Sequence, residues 1–184
     1  VVRVGAAARD VSVFALGDDS GWVGLFDVAR LLASEEPLRE GPEREGQAGA
    51  SPVSGLALSP DSSHLFTMCR GAAAVEMRDA RSDGLPVLAT LSFDANEGIG
   101  TRRLVCSEAL VVAAGGAWLG RSSDARSRRA RVWRLDDLEN VEPVTLEFSS
   151  DANAVALRPG SEGELAVGTG DGAVRIFASC LDSA

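Results

Sequence analysis

The sequence predicts an all-β protein in which a four-stranded antiparallel unit recurs along the chain. Short apolar stretches of strand type outnumber helix-type patterns. A phrase of strand, Asp–Gly turn and strand also recurs, most cleanly in residues 168–177 and earlier in residues 17–27. The four copies end at intervals of roughly 45–55 residues, which is the range of repeat architectures. Their last positions are Phe26, Arg78, Trp133 and Phe177.

The first unit is expected to span residues 1–33. Residues 11–16 form a short apolar stretch that ends at the cluster 17–21, which is rich in Gly and Asp. Such clusters supply the positive-φ positions of tight turns, so residues 22–28 are expected to return as the second strand of a hairpin. Residues 31–33 are interpreted as a further outer strand, and the first four residues as an opening strand.

Residues 34–52 are rich in Glu, Pro and Gly and hold almost nothing apolar. Such a segment buries too little apolar surface to offset the entropy lost on ordering. We therefore predict a flexible acidic loop here. The strand pattern resumes in a second unit, residues 53–93, in which residues 59–63 are expected to form a turn because Pro sets φ and Asp and Ser bond locally.

The third and fourth units are expected at residues 101–148 and 152–178. The fourth stops after its third strand, so it lacks an outer strand of its own. Four-stranded antiparallel units that bury their faces against neighbouring units are what a β-propeller requires. We therefore expect residues 1–184 to form a single, partial β-propeller domain of about four blades.

The repeated phrases resemble the WD-repeat β-propeller family over nearly the whole chain. Residues 59–66 resemble the turn after the innermost strand of a blade, and residues 168–177 resemble the next turn and the third strand. No unit keeps both residues of the namesake Trp–Asp pair. The resemblance implies structural roles for a set of repeat positions. These are Asp19, Phe26, Asp27, Asp79, Trp133, Thr169, Asp171 and Phe177.

The same resemblance implies a ring of about six to eight blades. Four blades are fewer than that, so the chain is expected to be the C-terminal part of a longer ring. Further blades would then come from upstream or from a partner chain. In such rings the missing outer strand is supplied by an N-terminal segment, and the resemblance implies the same here.

Composition excludes several classes of protein. The net charge of −9 and the pI of about 4.6 make nucleic acid an unlikely partner, because the summed field repels polyanions. No apolar run reaches the ~18 residues of a spanning helix, so no membrane insertion is expected. Cys69, Cys106 and Cys180 are interpreted as reduced thiols of a cytoplasmic or nuclear protein, with one disulfide between two of them as the alternative.

No catalytic residue, cofactor or metal is expected from the sequence. The glycines of residues 168–172 lead into a strand, whereas a phosphate loop leads into a helix. The single His64 cannot complete a zinc site and is interpreted as structural or surface-exposed. A propeller hydrolase that uses His64 or a carboxylate pair remains a third hypothesis.

Residues 121–131 are predicted to be an Arg-rich loop insertion, because they concentrate positive charge in an acidic chain. Arginine binds carboxylates and phosphates through two parallel hydrogen bonds. Two interpretations stay open: a partner-binding loop, or a solvated insertion enriched in Arg by codon usage. The candidate partner-binding residues are Arg121, Arg126, Arg128, Arg129 and Arg131.

The leading hypothesis for function is a non-enzymatic scaffold, located inside the cell, that mediates protein–protein interactions within a multi-subunit assembly. Its partners would be other protein subunits, with an acidic or phosphorylated partner at the Arg-rich segment. The alternative is a propeller that binds RNA or a phosphate ligand through the same segment. The hypothesis of a scaffold rests on the family resemblance and is an analogy between folds.

Overall fold

A computed structural model of the chain shows four antiparallel β-sheets that follow one another along the sequence. It describes residues 1–92, 101–115, 128–136, 142–161 and 163–178. Within each sheet, strands adjacent in sequence are adjacent in space and pair antiparallel, so each sheet is a meander. This confirms the predicted all-β fold class.

Sheet 1 consists of β1 (Val2–Ala7), β2 (Val13–Asp18), β3 (Trp22–Asp27) and β4 (Arg44–Gln47). Helix α1 (Val28–Ala33) and a short 3-10 helix at Pro37–Arg39 lie between β3 and β4. Sheet 2 consists of β5 (Val53–Leu58), β6 (His64–Cys69), β7 (Ala74–Asp79) and β8 (Val87–Ser92).

Sheet 3 consists of β9 (Thr101–Cys106), β10 (Leu110–Gly115), β11 (Arg129–Arg134) and β12 (Val144–Glu147). Sheet 4 has three strands among the described residues, namely β13 (Ala152–Leu157), β14 (Leu165–Thr169) and β15 (Val174–Phe177). The chain therefore carries four blade-like sheets, and the fourth ends at its third strand within the described part.

Two predictions for the end of the first unit were wrong. Residues 31–33 belong to helix α1 and not to an outer strand, because the carboxylate of Asp27 accepts a 2.8 Å hydrogen bond from the Arg30 amide and caps the helix. The predicted loop 34–52 contains β4, which supplies the fourth strand of sheet 1. Charged residues are common on edge strands, and here they concealed a strand.

The sheets group into two compact units. The first comprises residues 1–70 and 76–90, and the second comprises residues 71–75 and 91–184. In the first unit, sheets 1 and 2 share a core in which Val23 and Leu25 meet Val53 and Leu65. In the second unit, sheets 3 and 4 share a core of the same kind. Its buried members include Leu110, Val112, Leu146, Leu165 and Val167.

Gly17 marks the closest approach of sheets 1 and 2. A Cβ atom at this position would lie 2.8 Å from both Cβ and Cγ1 of Val53. Val53 is only 2% exposed and cannot move away without disturbing the core. Position 17 therefore requires glycine for packing, in addition to its place beside the turn that follows β2.

Replacing Gly17 with Ala is expected to lower the free energy of unfolding by about 1–3 kcal/mol, because the added methyl group overpacks the core against Val53. Urea denaturation followed by circular dichroism measures this change. Gly41→Ala is the matched control, since no heavy atom lies within 4 Å of its Cβ position. Equal stability of the two variants would contradict this account of the interface.

Candidate functional site

The turns of two hairpins, β2–β3 and β14–β15, have the same backbone register. Gly17 pairs with Val23 in the first hairpin, and Gly168 pairs with Val174 in the second. Both turns place a glycine at positive φ, Gly21 at 85° and Gly172 at 82°. Superposing the register makes position 18 equivalent to 169, and position 20 equivalent to 171.

The two turns use the same side-chain hydrogen bond with donor and acceptor exchanged. In the β14–β15 turn, the Thr169 hydroxyl donates to Asp171 Oδ1 at 2.5 Å. In the β2–β3 turn, the Ser20 hydroxyl donates to Asp18 Oδ1 at 2.7 Å. The carboxylate that ties the first turn is therefore Asp18. The neighbouring Asp19, singled out from the sequence, forms an ion pair with Arg3 instead.

A third turn, between β5 and β6, is tied by Asp61. Asp61 Oδ1 accepts hydrogen bonds from the hydroxyls of Ser59 and Ser63, both at 2.7 Å. Because Ser63 gives its proton to Asp61, the 2.7 Å contact between Ser63 Oγ and His64 Nδ1 requires the imidazole to donate. The contacts of His64 are those of a residue that closes a turn.

Hydroxyl donors lower the pKa of the carboxyl group in each of these turns. The Ser20 hydroxyl lowers the pKa of Asp18, and the Thr169 hydroxyl lowers the pKa of Asp171. The hydroxyls of Ser59 and then Ser63 place the pKa of Asp61 far below its ordinary value. Each carboxyl is thus stabilised as an anion by local hydrogen bonds. The causes are structural, and none of these groups faces a second titratable group across a cleft.

The repeat positions named from the sequence take up separate roles. Phe26 stacks on Phe14 with ring centroids 5.1 Å apart, and Phe177 meets Phe148 edge to face at 6.1 Å. Trp133 is fully buried in β11. Asp79 accepts hydrogen bonds from the Arg81 amide at 2.8 Å and the Ser82 hydroxyl at 2.6 Å, so it starts a turn as Asp27 starts a helix.

Arg78 occupies the aromatic position of the second unit and is buried, with 6% exposure. Its guanidinium donates to the Thr67 hydroxyl at 3.2 Å and to the Leu85 carbonyl at 2.9 Å, and it pairs with Glu76. A buried charge is tolerated only when it is paired and hydrogen-bonded in this way. The sequence showed a basic residue in place of an aromatic one but not that it would be buried.

The described members of the Arg-rich segment belong mainly to a strand. Arg129 and Arg131 lie in β11, where Arg129 pairs with Glu147 at 2.7 Å and Arg131 is 1% exposed. Arg131 is therefore not available to a partner, and the prediction that the loop extends to residue 131 was wrong at its end. Arg128 directly precedes β11, and Arg121 and Arg126 lie outside the described residues.

An aromatic face that sequence reasoning missed covers one side of sheet 1. We define it by Phe14, Leu16, Trp22 and Phe26, which alternate along β2 and β3 and so share one side of the sheet. All four side chains are partly exposed, whereas Ala15, Val23 and Leu25 on the opposite side are buried. The signal in the sequence was the two-residue spacing of these large side chains.

Trp22 is fixed in place on the aromatic face. Its Nε1 donates a 2.8 Å hydrogen bond to Glu45 Oε2 on β4. Its ring atoms Cη2 and Cζ2 lie 2.4 and 2.6 Å from where a Cβ of residue 24 would be, so the ring fits only because that residue is Gly24. Glu45 and Gln47 alternate along β4 and are exposed at the rim of this face.

The described residues contain no group of three or more His, Cys, Asp or Glu side chains that could hold a metal ion. Within the same residues, no helix has the length and apolar character to cross a membrane. Cys69 and Cys106 are both free thiols, and burial raises the pKa of Cys69. Cys180 lies outside the described residues.

Four-stranded meanders that repeat along the chain define the blades of a β-propeller. The chain has the fold of the WD40-repeat proteins, as comparison with solved structures shows. U3-55K matches with a TM-score of 0.69 and 16% identity over 94% of this chain and 45% of that chain. The WD40 repeats of RRP9 match with a TM-score of 0.67 and 18% identity over 94% and 44%.

A chain of the mitotic checkpoint complex matches with a TM-score of 0.66 and 19% identity over 95% of this chain and 48% of that chain. The present chain thus spans less than half the length of the solved structures it matches. No family model matches the sequence, and no curated protein matches it either. Matches to 1107 chains of known structure make the fold too widespread to select a function.

The exchanged hydrogen bond predicts a rescue between two substitutions. Thr169→Asp alone places two carboxylates against each other and should lower the melting temperature by several degrees. Adding Asp171→Ser recreates the arrangement of Asp18 and Ser20, so the melting temperature should return close to that of the wild type. Thermal denaturation of the two variants measures the rescue, and a double variant no more stable than Thr169→Asp would refute the equivalence of the two turns.

The three-turn set also predicts a loss of stability in acid. The folded pKa of Asp61 lies below its unfolded value, so its contribution is complete above about pH 4 and is lost as the pH falls through the folded pKa. Urea midpoints measured between neutral pH and pH 3 should therefore fall, and they should fall less steeply in Asp61→Asn. Asp83→Asn, at an exposed carboxyl that accepts no hydrogen bond among the described residues, should follow the wild-type curve.

Proposed function

We propose that the protein is a non-enzymatic scaffold, located inside the cell, that holds other proteins together in an assembly. The observation that carries this proposal is the aromatic face of sheet 1. Three of the nine aromatic residues of the chain, Phe14, Trp22 and Phe26, lie on this one partly exposed surface. Aromatic side chains are enriched in protein interfaces and supply much of their binding energy.

The side chains of this face are held in position before any partner binds. Phe14 and Phe26 stack with an interplanar angle of 10°, and Trp22 is fixed by Glu45 and by its fit over Gly24. Side chains that are already ordered lose little conformational entropy on binding. The surface is therefore suited to recognition of a protein, which offers extended apolar area.

The charge at the rim favours a basic partner segment. Glu45 is exposed beside the Trp22 ring, and the chain has a net charge of −9. A guanidinium group from a partner can lie on the indole ring while it pairs with Glu45, which combines a cation–π contact with an ion pair. The expected partner thus presents an arginine flanked by apolar residues.

The absence of enzymatic activity is part of the same proposal. Asp18, Asp61 and Asp171, the carboxyls with lowered pKa in the turns, are engaged in tying those turns. His64 is likewise held by Ser63. The printed name of one structural neighbour places that protein in a complex, the mitotic checkpoint complex, and this supports a scaffold by analogy between folds.

The Arg-rich segment is proposed as a second contact within the same function, for an acidic or phosphorylated partner. Its exposed members would be Arg121 and Arg126, because Arg129 is already paired with Glu147 and Arg131 is buried. The described residues give no observation that favours RNA over an acidic protein at this segment.

Affinity purification from native cells with quantitative mass spectrometry tests the function. Proteins that purify in fixed stoichiometry with the wild type should decrease at least about tenfold with Glu45→Lys, since a hot-spot contact is reversed in charge. Leu32→Ala is the control, because Leu32 is an exposed apolar residue of α1 outside the aromatic face.

A parallel variant with Arg121→Ala and Arg126→Ala locates the second contact, because it should release acidic or phosphorylated partners only. Recovery of the wild type without any stoichiometric partner would refute the scaffold function. Partners that are retained by Glu45→Lys would refute the aromatic face as the binding surface.

A further inference from the structure

A second apolar surface lies on sheet 4, and its residues form two rows across the three strands. One row runs Ala154, Gly168, Val174, and the other runs Ala156, Ala166, Ile176. We call these six residues the flat face. The opposite side of the sheet carries Leu165 and Val167, which are fully buried in the core of the second unit.

The flat face is open to solvent. Val174 is 69% exposed and Ile176 is 68% exposed, both on β15 at the edge of the sheet. Ala154 and Ala156 on β13 are also exposed. A continuous apolar patch with two β-branched side chains this exposed is unusual on a monomeric protein and marks a contact surface.

The relief of the flat face is complementary to itself. Val174 and Ile176 form a ridge along β15, whereas β13 and β14 present only Ala and Gly side chains. A shallow cavity of about 280 Å³ lies beside this ridge, lined by Ala156, Leu157, Arg158, Glu164, Ala166 and Ile176. A two-fold axis perpendicular to the sheet would place the ridge of each copy over the small residues of the other.

The charges beside the face are also complementary to themselves. Arg158 and Glu164 pair at 2.9 Å at one end of the cavity, so the surface has both signs and no local excess. The overall charge of −9 therefore does not produce repulsion at this place. Across a two-fold axis, the Arg158 of each copy approaches the Glu164 of the other.

We propose that the flat face is the interface of a symmetric dimer, formed by face-to-face packing of sheet 4 on sheet 4 of a second copy. The partner is a second copy because both the relief and the charges match their own image after a two-fold rotation. The proposal is independent of the scaffold function, which uses the aromatic face of sheet 1. The six residues form a smaller patch than a standard interface, so we expect a dissociation constant of about 10 µM.

Sedimentation equilibrium over a concentration series from about 1 to 500 µM tests the proposal, because that range brackets the expected dissociation constant. The wild type should pass from monomer to dimer. Ile176→Asp on the ridge and Ala156→Asp on the floor should each raise the dissociation constant at least about a hundredfold, since each buries a carboxylate in an apolar contact. Both positions are exposed, so circular dichroism should show that both variants keep the wild-type fold.

Leu32→Asp is the control for a general effect of added charge, and it should dimerise as the wild type does. Ala156→Asp also separates face packing from pairing of β15 edges, because Ala156 lies on β13, two strands away from that edge. A dimer that withstands Ala156→Asp would overturn the proposal. A chain that stays monomeric throughout the concentration range would overturn it as well.

Discussion

The structure depends on tight turns that are held closed by a hydrogen bond between a hydroxyl and a carboxylate. A turn of fixed length sets the register of its hairpin, and a slip of one residue would exchange the two faces of the sheet. In sheet 1 that exchange would bring Phe14 and Leu16 into the core and expose Ala15. The separation of a packed side from a partner-binding side therefore begins with Asp18, Ser20 and Gly21, which are not part of either side.

The strands could be predicted where apolar alternation met an evident turn. Residues 53–58 and 64–69 were expected as strands on either side of a Pro–Asp–Ser turn, and β5 and β6 lie there. The strand β4 could not be found in this way, because three of its four residues are charged or amide side chains and its pairing with β3 is long-range. Composition describes how a segment meets water, but an edge strand needs only one side and one backbone edge in contact.

The candidate site was harder to predict than the fold, for a different reason. A cluster of arginines draws attention as charge, yet Arg131 is buried in β11 and Arg78 replaces an aromatic side chain in the interior of sheet 2. Conversely, Phe14, Trp22 and Phe26 suggested a core by their chemistry, although they lie on the partly exposed side. Whether a large side chain is covered depends on which elements pack over it, and the order of residues in one strand does not contain that information.

The exchange of donor and acceptor between the first and last hairpins has a consequence for how kinship between repeats can be seen. The interaction is encoded in the joint identity of two positions, as Asp with Ser at 18 and 20 or as Thr with Asp at 169 and 171. A comparison that scores one position at a time counts two mismatches, whereas the hydrogen bond itself is unchanged. Ancestry of this kind is preserved in pairs, so it fades from the alphabet of the sequence long before it fades from the path of the backbone.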